Sequence, residues 1–169
     1  MSAIRNIDGP KDFIFRVLSG VAIGIVAGLV PNAILGEIFK YLMQYQPIFK
    51  TLLGVVQAIQ FTVPALIGAL IAMKFNLTPL AIAVVASASY VGSGAAQFKN
   101  GVWIVAGIGD LINTMITAAI AVLFILLIEE RVGSMALIIF PTIVGDLSAT
   151  IGIFTLPYVR LITTGIGNM

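Results

Sequence analysis

An all-α fold that crosses a lipid bilayer several times is predicted by three features of this sequence. Apolar residues make up 60% of the 169 and charged residues only 9%, against roughly 25% charged in a soluble domain. The apolar residues gather into runs of about 20, the length that spans the hydrocarbon core as a helix. Lysine and arginine stand singly at the ends of those runs, as membrane anchors do. The net charge of +2 and pI near 9.1 are therefore no sign of a nucleic-acid partner; the expected surroundings are a lipid bilayer. With no cysteine and no histidine, disulfides, thiolate chemistry, His-based metal sites and Ser/Cys-His catalysis are excluded within the chain. It cannot carry phosphohistidine or phosphocysteine, and no catalytic residue, metal or cofactor is expected.

Residues 1–12, MSAIRNIDGPKD, read as a polar cytosolic lead-in. They are no cleavable signal, because the apolar run that follows continues without a small-residue cleavage site. The first span is 13–30 and should end at Pro31. Gly20, Gly24 and Gly28 fall four apart within it, a helix-packing stripe that lets another backbone approach closely. Residues 32–46 place Ile34, Leu35, Ile38, Leu42 and Tyr45 on one side, a short interfacial helix. Residues 48–75 form the next span, kinked at Pro64, with Gln57, Gln60 and Thr62 just before the carbonyls that a proline frees. After the Asn76–Pro79 turn, the span at 79–96 is built from small residues. Ser87, Ser89, Tyr90, Gly92, Ser93 and Gly94 make its second half barely hydrophobic, so a broken or re-entrant segment near Gly92–Gly94 is expected, exposing helix-end N–H groups near Gly92 to Ala95. A tightly packed small-residue helix is the alternative.

The span at 102–128 carries one carboxylate, Asp110. Wound as a helix, it puts Trp103, Ala106, Gly107, Asp110, Asn113, Thr114, Thr117 and Ala121 on one face and lipid-like side chains on the other. An acid inside a membrane helix costs roughly 2.5 to 3.5 kcal/mol on insertion scales, so Asp110 should face protein or water. With Asn113 and Thr114 it forms either a polar rung that binds a solute or an interhelical clamp. The last full span, 134–157, holds a second acid, Asp146, a candidate coupling acid. Gly145-Asp146-Leu147 repeats the triplet Gly109-Asp110-Leu111, and VRLITTGIGN at 159–168 parallels VWIVAGIGD at 102–110. These repeats make the chain, with about five spans and one interfacial helix, one half of an internally repeated transporter fold. A second half-protein or a homodimer, associated through the glycine stripe and the end near Gly165, would complete it. Arg5, Lys11 and Arg16 favour a cytoplasmic N-terminus.

The runs TVPALIGALIAMKFNLTPLAIAVVASASYVGSGAAQ (62–97), GIGDLINTMITAAIAVLFILLI (107–128) and TLPYVRLITTGIGN (155–168) are similar to the enzyme IIC-like membrane proteins of bacterial sugar phosphotransferase systems. The resemblance covers nearly all of this chain as the first part of a family member. It implies a plasma-membrane sugar permease that delivers its substrate to a phosphorylated cytosolic IIB partner. Well-characterised members use a glutamate and often a histidine at the sugar; here histidine is missing and Glu37 falls in the interfacial stretch.

Three functions follow for testing. The first is an enzyme IIC-type permease for a small polar solute, bound by Asp110, Asn113, Thr114, Ser93 and Gly94. The second is an ion- or proton-coupled secondary transporter in which Asp110 and Asp146 take up and release a proton. The third is a non-transporting scaffold or regulator that retained the architecture.

Overall fold

The computed structural model describes residues 7–167, with the side chains of 165–167 left aside. Arg5, Asn168 and the surroundings of Gly165 therefore lie outside the described residues. The chain forms helices α1 (Pro10–Leu42), α2 (Ile48–Gln60), α3 (Val63–Lys74) and α4 (Pro79–Gly92), then strands β1 (Ala96–Lys99) and β2 (Val102–Val105), then helices α5 (Leu111–Val132), α6 (Ala136–Ile139) and α7 (Asp146–Gly167). A 3-10 turn, Gly133–Met135, and a π-helical turn, Phe140–Gly145, flank α6.

Two helical stretches, Pro10–Leu42 and Leu111–Thr164, are long and apolar enough to cross a membrane, and the pair α2 and α3 makes a third if its bend is one broken span. Leu111–Thr164 is folded in two at Gly133 (φ +48°). Asn113 meets Gly152 and Thr155, and Asp110 meets Thr163, so α5 and α7 run antiparallel. The protein is a helical membrane protein.

Helix α1 does not stop at Pro31, and there is no separate interfacial helix at 32–46: one helix continues to Leu42. A proline removes a single N–H, and where water is scarce the chain has no better way to satisfy the remaining backbone groups than to stay helical. Next to the proline, Asn32 donates its side-chain amide to the Gly28 carbonyl at 2.6 Å. The glycine stripe is filled from within the chain. A Cβ on Gly20 would sit 2.6 Å from the Ile71 Cα, and one on Gly24 would meet Ile67 and one on Gly28 Val63. The stripe therefore seats α1 on α3, and the surface expected to join two chains is occupied.

Residues 48–75 are bent by 43° between α2 and α3. The break falls at Phe61–Thr62, so that Pro64 occupies the first turn of α3, where its missing N–H costs nothing. The carbonyl just before the break is used locally, Ile59 O accepting both from Thr62 N and from Thr62 Oγ1. Beyond the bend, α2 and the second half of α1 form an arm whose outer surface is apolar, with Ile34, Ile38, Ile48, Val55 and Ile59 exposed. Asn32, Glu37, Lys40, Gln57 and Gln60 line a groove between the two helices.

The segments expected at 79–96 and 102–128 differ most from the structure. Helix α4 ends at Gly92 and α5 begins at Leu111, and between them the chain makes an antiparallel hairpin pairing Ala96 with Val105 and Lys99 with Val102. Its tip, Asn100–Gly101, has positive φ at both residues, the turn that matches strand twist. Residues 102–105 are apolar and largely β-branched, a run that suits a strand as well as a buried helix. Gly107 (φ +134°) and Gly109 (φ +70°) then forbid continuation into α5. Helix α4, at about 21 Å, is shorter than the roughly 30 Å hydrocarbon core. The break near Gly92–Gly94 is present, and a hairpin follows it.

Helix α7 starts at Asp146, twelve residues after the expected start of its span, and continues through Pro157 to Gly167. Residues 159–167 are helical and 102–105 are a strand, so the sequence parallel between them is not a structural repeat. The core lies where α3, α4, α5 and the π turn meet, around Ile67, Ile71, Val85, Val122, Ile125 and Phe140.

Candidate functional site

The broken ends of α4 and α5 meet each other and α7 at one point. Helix α4 leaves its last carbonyls without intrahelical partners, and α5 begins with unpartnered N–H groups. The chain joins the two deficits: Asp110 N donates to the Ser93 carbonyl at 2.8 Å, and the Asn113 side chain donates to the Gly92 carbonyl at 2.5 Å. The negative end of the α4 dipole thus faces the positive end of α5. Because the break falls at the C-terminal end of α4, the region around Gly92 presents carbonyls, and the N–H groups expected there are supplied instead by the start of α5.

Asp110 caps α5. Its Oδ1 accepts from Asn113 N at 2.8 Å, and its backbone carbonyl accepts from Thr114 N at 2.9 Å and Thr114 Oγ1 at 2.7 Å. It stands at the beginning of the helix, and the face that the sequence assigned to Trp103, Ala106 and Gly107 is not helical. The second oxygen, Oδ2, has one long contact, 3.5 Å from Thr163 Oγ1. The residue is half-buried, and among the described residues no lysine or arginine pairs with it.

Asn113 is fully buried and its amide is fully used. Besides Gly92, Nδ2 donates to the Gly152 carbonyl at 2.7 Å, and Oδ1 accepts from Thr155 Oγ1 at 2.9 Å. Two carbonyl partners on one side fix which amide atom is nitrogen. One side chain on α5 therefore ties the end of α4 to the middle of α7. Thr114 and Thr117 are buried and donate back to carbonyls of their own helix. The three helices close on glycine: a Cβ at Gly152 would lie 2.7 Å from the Gly92 Cα, and Thr117 fills the remaining space beside both.

Ser93 is buried, its Oγ donating to the Tyr90 carbonyl at 2.7 Å and accepting from Ala95 N at 3.1 Å. Gly94 (φ +75°) turns the chain into the hairpin. Asp110, Asn113, Thr114, Ser93 and Gly94 are thus one cluster. Asp146 is not part of it. It is exposed at the start of α7, seventeen residues and about 25 Å of helix from the Thr163 that touches Asp110. There it lines a groove of about 280 Å³ with Ser87, Val84 and Pro141. The two acids therefore stand apart, Asp110 half-buried and Asp146 exposed.

Gly152, Thr155 and Thr163 also belong to the cluster and were not singled out from sequence. Gly152 and Thr155 are three apart and share a helix face, but nothing in a single sequence tells which helix that face meets.

A family model described as "Phosphotransferase system, EIIC" matches residues 15–169. No curated protein and no solved structure matches the chain. With nearly its whole length covered, and with helices fit to cross a bilayer, the chain belongs to the phosphotransferase-system EIIC family of membrane permease components.

Proposed function

We propose that this chain binds a small hydroxyl-rich solute, a sugar, at the carboxylate of Asp110 and forms the solute-holding part of a permease. The observation that carries this is the unequal use of the two carboxylate oxygens. Oδ1 caps α5, while Oδ2 has only its long contact with Thr163. An under-partnered acid within a membrane protein is costly, and solute hydroxyls are suitable donors to it. Asn113, Thr114, Ser93 and Gly94 hold the backbone that presents the acid. Lacking histidine and cysteine, the chain leaves phosphoryl carriage to a cytosolic IIB-type partner. The end bearing Lys11, Arg16, Lys74 and Arg131 is assigned to the cytosol of a bacterial plasma membrane; Arg16 Nη1 donates to the Lys74 carbonyl there. A second copy or a second half-protein closes the side on which Asp110 is open.

Asp110→Asn tests the proposal, because asparagine caps a helix as well as aspartate does but carries no charge. Uptake should fall about tenfold or more, the loss of one charged hydrogen bond, at unchanged membrane level. Normal uptake by this variant sinks the proposal. Transport should also require phosphoenolpyruvate and the soluble phosphocarriers; uptake driven by a pH gradient alone would favour a proton-coupled carrier using Asp110 and Asp146.

A further inference from the structure

A second pocket, of about 300 Å³, lies between the hairpin and α7. Its walls include Gln97, Phe98 and Trp103 from the hairpin and Ile153, Leu156 and Arg160 from α7. The Phe98 and Trp103 rings sit 5.5 Å apart, tilted against each other, and both are exposed, Trp103 by 62%. Gln97 Nε2 spends one hydrogen on the Gly94 carbonyl at 2.9 Å and keeps a second. The Arg160 guanidinium lies beside the turn: a Cβ on Gly94 would be 3.1 Å from its Nη2. Among the described residues Arg160 has no hydrogen bond or ion pair from its side chain, although its backbone carbonyl accepts from Thr163 and Thr164.

The place of this pocket along the bundle matters. Arg160 is one turn from Thr163, beside the start of α5, whereas Arg131 closes the opposite end of that helix. Lys99, Trp103, Tyr158 and Arg160 thus gather at one end of the bundle, all exposed, in the composition of a membrane-water interface. From there Ile153, Phe154, Leu161 and Ile162 expose an apolar surface along α7.

We propose that this pocket binds the headgroup phosphate of an anionic phospholipid. Arg160 meets the phosphate oxygens in the forked geometry that suits a guanidinium, with the free Gln97 N–H beside it. Phe98 and Trp103 cover the glycerol region, and an acyl chain lies along Ile153 and Leu156. An unpaired cation above an apolar wall is complementary to a ligand with an anionic head and an apolar tail, and a free phosphate would leave that wall uncovered. The site differs from that of Asp110, so it stands or falls independently of the solute proposal.

Thermal unfolding of the full chain in detergent tests it with three additions: phosphatidylglycerol, diacylglycerol with the same acyl chains, and glycerol 3-phosphate. Phosphatidylglycerol should raise Tm, and the other two should not. Arg160→Gln should raise the half-saturating phosphatidylglycerol concentration about tenfold or more, with Arg160→Lys in between. Should Arg160→Gln prove unstable without lipid, Trp103→Leu, which leaves the hairpin backbone bonds in place, must weaken the same response. Equal stabilisation by diacylglycerol or by glycerol 3-phosphate overturns the proposal. So does an unchanged lipid response in the folded variants.

Discussion

Gly109-Asp110-Leu111 and Gly145-Asp146-Leu147 are the same three residues in two different roles. In the first, the glycine has φ +70° and the aspartate caps a helix. In the second, the glycine ends a π-helical turn and the aspartate is an ordinary exposed position in the first turn of α7. The difference comes from what precedes each triplet. A tight hairpin delivers the chain to Gly109 at an angle that must be turned, whereas Phe140–Gly145 is already helical and passes straight on. A local motif thus acquires its function from the backbone path leading into it, and the surroundings of the two acids should respond to mutation in opposite ways.

Asn113→Leu should have the largest effect. It leaves the Gly92 carbonyl without its donor in a fully buried place and removes one of two donors from the Gly152 carbonyl, which keeps Thr155 Oγ1 at 3.0 Å, a loss of about 1–3 kcal/mol. Thermal unfolding in detergent should show a drop in Tm and in monodisperse yield. Asp146→Asn, an exposed change by comparison, should leave both unaltered. Equal stability losses in the two variants would dissolve the contrast.

The paired glycine substitutions come next. Gly109→Ala forces a side chain onto positive φ and brings a Cβ to 2.8 Å from the Ser93 Cβ, a clash and strain of about 1–3 kcal/mol. Gly145→Ala meets Val84 Cγ1 at 3.4 Å and the Phe140 carbonyl at 3.6 Å, both ordinary contacts, and gains from a less flexible unfolded chain. Tm should fall in the first and hold or rise in the second. Asp110→Ala should follow, losing about 1 kcal/mol of cap that Asp110→Asn retains, while Asp146→Ala changes nothing measurable.

The sequence made the helical membrane class legible because apolar run length needs no partner information. The glycine stripe was legible as a packing face but not as packing within the chain, since Gly20, Gly24 and Gly28 say how close a neighbour can come and not which one. The hairpin was hidden for a physical reason: Val102, Trp103, Ile104 and Val105 are apolar on every face, so periodicity cannot separate strand from helix. The visible clue was GIGD itself, two glycines before a good cap residue, which is a helix start. At the candidate site the sequence singles out Asp110, Asn113, Thr114, Ser93 and Gly94, and the structure brings these five side by side. Their convergence with Gly152, Thr155 and Thr163, between 38 and 70 residues farther along by the numbering, depended on a tertiary fold that one sequence does not encode in any readable pattern.

Ser148 gives the smallest and sharpest test of how the two regions differ. Near Asp110 every buried hydroxyl of Ser93, Thr114 and Thr117 has a partner. Two residues beyond Asp146, the Ser148 hydroxyl is fully buried with none. A helical serine ordinarily bonds back to the carbonyl four residues earlier, which for Ser148 is that of Val144, inside the π turn, where the turn is wider and that geometry is lost. Ser148→Ala removes an oxygen that contributes only desolvation cost, so stability should rise by up to about 1 kcal/mol. Thr117→Val, which deletes a bonded hydroxyl of similar burial near Asp110, should lower it. The sign of the difference between these two Tm shifts reports directly whether the junction around Asp110 is the satisfied half of the bundle and the π turn the unsatisfied one.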